Sequence, residues 1–286
     1  MQVTLVPYQP PLEALAACVH SSGELKITSG KVLTANGAPA STNGKLNVDG
    51  TVEGDVHAAS RDSGGTVAGT ETVPAPEKSL PDAGVFEMYK SMATAIPYSG
   101  DFNEHVLAPG ANTYGGGLNA DGLYYIDAGD KDLKIKGTRI LGTLVVDAKK
   151  VTLDDAALLE NYRSDYPVLI VNGNLELMLK TDELGLDEFA WTTNFNPAGA
   201  PYGGATDSDQ ADTYPNEIRG LVHAIGETTV KETTRVRGVV ISENKVAFKG
   251  ANEIVHNPDL YENPPLGYAE QAGMRISPGT WCQVVD

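Results

Sequence analysis

Leu123-Tyr124-Tyr125-Ile126-Asp127, Thr143-Leu144-Val145-Val146-Asp147, Val168-Leu169-Ile170-Val171-Asn172, Gly220-Leu221-Val222-His223-Ala224 and Gly238-Val239-Val240-Ile241-Ser242 read as five versions of one strand. Each is followed within a few residues by a second apolar run: Leu133-Lys134-Ile135, Val151-Thr152-Leu153, Leu175-Glu176-Leu177, Thr229-Val230 and Val246-Ala247-Phe248. The offsets are 145 − 125 = 20 and 238 − 220 = 18 residues. A recurring unit of this size, without a helical pattern between the strands, predicts a β-solenoid. A strand of four or five residues cannot cover its own apolar face, whereas stacked coils cover one another and pair their backbones in parallel. Glycines at 137, 142, 173, 220, 226, 238 and 250 fall where corners are needed. The alternative is an antiparallel β-sandwich, which also has short strands at regular spacing. The 222 − 171 = 51 residues between Val171 and Val222 demand an insertion.

The expected fold class is therefore all-β: a right-handed parallel β-helix with short capping helices and loop insertions, forming one domain over 1–286. Early coils span 23–58, where Gly23-Glu24-Leu25-Lys26-Ile27 matches Gly44-Lys45-Leu46-Asn47-Val48 at an offset of 21. A loop and helix excursion covers 59–120. Within it Asp82 N-caps a helix to Thr94, with Val85, Met88, Tyr89 and Met92 on the face that packs sideways on the solenoid. Main coils fill 121–256 with an insertion at 180–216, and an extended tail follows at 257–286. A strand is expected over Val3–Val6 and a helical turn over Asp182–Phe189. A short helix over Leu12–His20 is expected to cap an open end, whose unpaired edge would otherwise invite aggregation.

A net charge of 21 − 38 = −17 excludes nucleic acid and an anionic membrane as partners, because both need surplus Lys and Arg. Acidity suits divalent cations. Cys18 and Cys282 pair if the chain is exported and stay reduced if it is cytosolic. With no apolar run of 18 residues and no signal pattern at Met1, the expectation is a cytosolic protein or a chain lacking its targeting segment.

The chain contains no Gly-x-Ser-x-Gly, phosphate loop or His-Glu-x-x-His, and its five histidines never fall at ligand spacing. No catalytic or cofactor-binding residue is assigned. Asp207, Asp209 and Asp212 are the metal-ligand candidates, as an acidic loop suits Ca²⁺; the reading against it is a solvated loop. Asp127, Asp130 and Asp132 form a similar cluster. Asp127 and Asp147 repeat in successive coils, as stacked carboxylates of solenoid lyases do, with Lys149 or Arg139 as the base such an enzyme would need.

Asn257-Pro258-Asp259-Leu260-Tyr261-Glu262-Asn263-Pro264-Pro265-Leu266-Gly267-Tyr268, Pro278-Gly279-Thr280-Trp281, Pro81-Asp82-Ala83-Gly84-Val85-Phe86, Tyr114-Gly115-Gly116-Gly117 and Tyr214-Pro215-Asn216-Glu217-Ile218-Arg219-Gly220 resemble segments of planctomycete-type envelope proteins. Those proteins join a pilin-like, pilus-assembly N-terminus to a secreted β-helix. The coils are also similar to those of bactofilins, which polymerise end to end. The resemblance implies a structural, self-associating extracellular or cell-envelope protein, a subunit of a filament, pilus-like appendage or surface layer, and not an enzyme. Its implied partners are further copies of itself, through loops and termini, with membrane contact only through an N-terminal anchor absent from this chain. The alternatives are a carbohydrate-active enzyme or carbohydrate-binding module on the same scaffold, and a calcium-stabilised adhesin.

Overall fold

The lines of the sequence stack as strands. In the computed structural model, which describes residues 5–276, Tyr125 lies beside Val145, Val145 beside Ile170, Leu169 beside Val222 and Val222 beside Val240, all in parallel pairs. The second runs stack likewise, through Leu133, Val151, Leu175, Thr228 and Val246. A third column links residues 139–141, 158–160, 217–219, 235–237 and 253–255. The fold is thus a parallel β-helix with three walls, and the β-sandwich alternative is excluded.

Order along the axis departs from order along the chain. The coil at 19–36 does not begin the stack but lies on the coil at 238–255: Val19 pairs with Val240, Leu25 with Val246 and Val32 with Ala251. The next coils, at 40–53 and 56–67, continue outward from there. The chain then returns along the outside, forms Thr94–Ile96 at the opposite end beneath Tyr124–Ile126, and stacks back toward the middle. The early coils thus extend the last ones. One apolar interior runs through both blocks, from Phe102 and Leu133 through Val240 to Val56.

Corners bring coils close. A Cβ on Gly238 would lie 1.9 Å from the carbonyl oxygen of Gly220, and one on Gly44 would lie 1.7 Å from that of Gly23. At those corners only glycine permits the strand spacing of about 4.8 Å.

The helices follow the local pattern with shifted ends. Helix α1 (Val85–Met92) lies against the first wall, burying Val85, Phe86 and Tyr89. Met92 is 37% exposed, so Phe86 takes the place expected for it. Its N-cap is Gly84; Asp82, two residues earlier, accepts from the Gly84 amide at 2.8 Å. The capping helix expected over Leu12–His20 is one 3₁₀ turn, Glu13–Ala16, followed by strand Val19–Ser21. It lies on the first wall in mid-stack, with Leu12, Ala14 and Leu15 packed beside α1, and caps no end. Over the turn expected at Asp182–Phe189, the Glu183 and Leu184 amides donate to the Lys180 carbonyl, and a separate α2 (Glu188–Trp191) follows, N-capped by Asp187. The tail expected to be extended begins with a short α3 (Asp259–Glu262). Leu5–Tyr8 pairs antiparallel with Gly273–Ile276. The start of the expected Val3–Val6 strand, Pro278–Trp281 and Cys282 lie outside the described residues. Cys18 is wholly buried, and burial pushes its thiol up to about 12. No helix among the described residues is long and apolar enough to cross a membrane.

Candidate binding surface and acidic loop site

The three walls differ in what their outward side chains meet. On the first wall both faces are apolar. Tyr124, Leu144 and Val222 point into the coil, while Leu123, Val145, Ile170, Leu221, Val239 and Ile241 form a second cluster with α1, Leu260 and Tyr268. Such runs are buried on both sides. His223 sits there satisfied, with Nδ1 2.9 Å from Tyr268 Oη and Nε2 3.0 Å from Glu243. Nothing is left free for a ligand.

The third wall is covered in part by the excursion at 180–216. Leu186, Phe195, Ala200 and Tyr214 pack on Val106, Ala156 and Leu158. Arg139, 1% exposed, fastens the loop: Nη1 donates to the carbonyls of Phe195 and Ala200, both at 2.7 Å, and Nη2 to that of Pro201 at 2.8 Å. The enzymatic role imagined for Arg139 is therefore corrected, since a buried guanidinium committed to three carbonyls cannot abstract a proton. Lys149 is exposed and nothing draws it to the carboxylates. Beyond the loop the wall carries a chain of ion pairs, Glu160–Arg219–Glu217–Arg237.

The second wall is open over its middle coils, with Trp191 of α2 lying over its rim at Lys136 and Gly137. Leu133, Ile135, Val151, Leu153, Leu175, Leu177, Val246 and Phe248 point inward. Charged side chains of neighbouring coils meet on its outer face: Lys134 meets Asp154 at 2.5 Å, Lys136 and Lys180 share Asp155, Lys150 and Lys231 share Glu176, and Lys245 meets Glu24. Lys136 and Lys180 hold the Asp155 carboxyl below its ordinary range. At Glu176 burial acts upward, but Lys231 and Lys150 outweigh it and the net shift is down. The small side chains Thr152, Thr229 and Ala247 share one register with Glu176, on either side of its ion pairs.

Asp127 and Asp147 do stack in register, but the column continues into Asn172, whose Nδ2 donates to Asp147 at 3.1 Å. Asp132 pairs with Lys150 across the strands, away from that stack.

Within the excursion the acidic residues are sorted. Asp207 and Asp212 converge with Glu188, one carboxylate oxygen of each lying within 4.8 Å of the others. Asp209 stands apart from that group and accepts from the Ala211 amide at 3.1 Å. Glu188 is the residue that sequence spacing missed. It lies 207 − 188 = 19 residues before Asp207, and only the folding of α2 against the loop brings it in. It is fully buried. Its partners are the Phe195 amide at 2.6 Å, Tyr214 Oη at 3.0 Å and the Asp212 amide at 3.1 Å.

No family model matches the chain, and no curated protein does. Solved structures align with most of it. An ice-binding protein from an Antarctic biological consortium is 14% identical, covering 89% of this chain and 94% of that one at a TM-score of 0.40. One from the Antarctic ascomycete Antarctomyces psychrotrophicus is 8% identical, covering 85% and 95% at 0.38. One from Shewanella frigidimarina is 10% identical, covering 90% and 99% at 0.36. None reaches 0.5, so the fold rests on this chain's own strand pairing.

These proteins are described as ice-binding, not as filament subunits or polysaccharide enzymes, and the expectation of a filament, pilus or surface-layer subunit, with its enzyme, carbohydrate-module and adhesin alternatives, is corrected accordingly. The ends of the stack give a physical reason against end-to-end growth. At one end the strands shrink to Thr66–Val67 and Glu71–Thr72, followed by Pro74 and Pro76. Short edges and prolines block further pairing. At the other, Val106–Ala108 folds back on Ala111–Asn112, and the Tyr114 ring stacks 4.5 Å from Phe102.

Proposed function

We propose that this protein is a non-enzymatic adsorbing scaffold that works outside the cell by laying its second wall against an extended, repeating surface, with ice as the surface to test first. The observation that carries the reading is the state of that wall: its outward Lys134, Thr152, Glu176 and Thr229 stand in register and reach solvent, while the first wall and part of the third are occupied by the chain itself.

Two physical arguments support it. Lys134, Lys136, Lys150, Lys180, Lys231 and Lys245 each meet a carboxylate on a neighbouring coil, so most of the wall's charge is cancelled locally and the rest is screened beyond the Debye length of about 8 Å. The pairing also fixes side chains before contact, which lowers the ordering cost of adsorption. Ice is the surface bound by the proteins named above, and the exposed register of this wall is what would meet it here.

The test is slow growth of ice from a dilute solution of the labelled chain, with freezing-point hysteresis measured in parallel. The proposal expects the protein to enter the ice at a fraction well above that of a mixed-in globular control. Exclusion from the ice together with zero hysteresis would remove ice from the reading.

A further inference from the structure

We propose that Arg219 and Arg237 hold one small oxyanion, a phosphate or carboxylate group, in the hollow at the corner between the third and first walls. This inference does not depend on what the second wall adsorbs to.

The hollow measures about 320 Å³, and Asn161, Arg219, Gly220, Arg237, His256 and Asn257 line it. That volume lies at the small end for ligand pockets, so the ligand is small. No carboxylate lines it, although the chain carries a net charge of −17. The adjoining hollow shares Asn161, Gly220 and Asn257 and carries Asp259. An anionic group therefore belongs at the arginine end.

The two arginines are oriented in advance. They are partners in register on adjacent coils, so their strands lie about 4.8 Å apart. Like charges placed directly opposite each other repel. Glu217, 3% exposed, offsets this with one oxygen for each: Oε1 accepts from Arg219 Nε at 2.6 Å and Oε2 from Arg237 Nε at 2.9 Å. Glu160 accepts from Arg219 Nη1 at 2.8 Å and is shared with Arg139 at 3.4 Å. The other partners of Arg139 are backbone carbonyls, which carry no charge. Three guanidiniums thus share two carboxylates, and one positive charge is left over.

Anchoring through Nε leaves donors to spare. Both Nη groups of Arg237 and Nη2 of Arg219 have no acceptor among the described residues. Asn257 is held the same way: its Oδ1 accepts from the Asp259 amide at 3.1 Å, and its Nδ2 is uncommitted. Guanidinium forks match the oxygens of phosphate and carboxylate, and forks already fixed lose little freedom on binding.

Isothermal titration of the full chain with inorganic phosphate, and separately with malonate, at an ionic strength fixed by sodium chloride, should show one saturable site per chain. The anion that binds more tightly identifies the group. Arg237→Gln should weaken binding at least tenfold, with Arg219 still satisfying Glu217. Arg237→Lys keeps the charge, loses the fork and should weaken binding several-fold. Arg235→Gln removes the same charge from the same strand, outside the hollow, where Arg235 pairs with Glu253, and should change affinity less than twofold. Circular dichroism without added anion confirms that each variant is folded. Absence of saturable binding by either anion, unchanged affinity in R237Q, or equal losses in R237Q and R235Q would each overturn the site.

Discussion

The coil stack and the excursion at 180–216 are held by different forces. The stack repeats one solution: apolar side chains inside, backbone pairs between coils and glycine at tight corners. No single residue is special, and the load is shared along the whole axis. The excursion has only a small apolar patch and depends on two buried polar anchors, Arg139 and Glu188. Damage to the first should therefore spread through the molecule, and damage to the second should stay local.

The largest effects belong to the stack. Leu177→Ala removes a fully buried side chain from the second wall and should cost about 2–5 kcal/mol in reversible urea unfolding, with one cooperative transition. Gly238→Ala drives a Cβ into the Gly220 carbonyl and should destabilise similarly despite adding a single carbon. A loss of less than about 1 kcal/mol in both would mean that the coils are not in tight contact.

Arg139→Met comes next. It leaves the carbonyls of Phe195, Ala200 and Pro201 without their donor. Each buried unsatisfied group costs about 1–3 kcal/mol, but the loop can open to water instead. Limited proteolysis should cut within 190–214 many times faster than in the parent chain, while the main unfolding transition moves little. Loss of the whole fold would erase the distinction between the two regions.

His20 tests the stack through pH. Burial, with Lys78 adding to it, holds its pKa down at about 4 against an ordinary 6.5. Between those values the unfolded chain takes up a proton that the folded chain refuses, so stability is full above pH 6.5 and declines as pH falls toward 4. The decline is on the order of 3 kcal/mol for a shift of about 2.5 units. His20→Asn should remove that part of the slope in melts taken between pH 7 and 4. An unchanged slope would assign it to other groups.

The smallest effect is expected on the open wall. Lys134→Ala breaks an exposed pair with Asp154 and should shift stability by less than about 1 kcal/mol.

What the sequence made legible follows the same division. The pairs Asp127 with Asp147, Glu24 with Lys45 and Gly220 with Gly238 are readable because a solenoid repeats its register at a fixed offset. The order of the coils is not readable. Every coil presents the same apolar interior and the same unpaired edge, so Val19 fits Val240 as well as any sequence neighbour would. The anchors of the excursion were hidden for another reason. Arg139 finds its carbonyls 56–62 residues away, and Glu188 meets Asp207 only after α2 forms. Such partners follow no period. Asp209 shows the converse: close spacing in sequence put it with Asp207 and Asp212, and the folded loop keeps it out.

Partition of the protein into growing ice, compared between the parent chain and a Thr152→Tyr/Thr229→Tyr variant, bears most directly on the role given to the open wall. Both residues point outward between the ion pairs, so the rings roughen the wall and leave the interior intact. The parent should enter the ice and the variant should stay in the liquid with an unchanged melting temperature. Equal partition of the two would contradict adsorption through this wall.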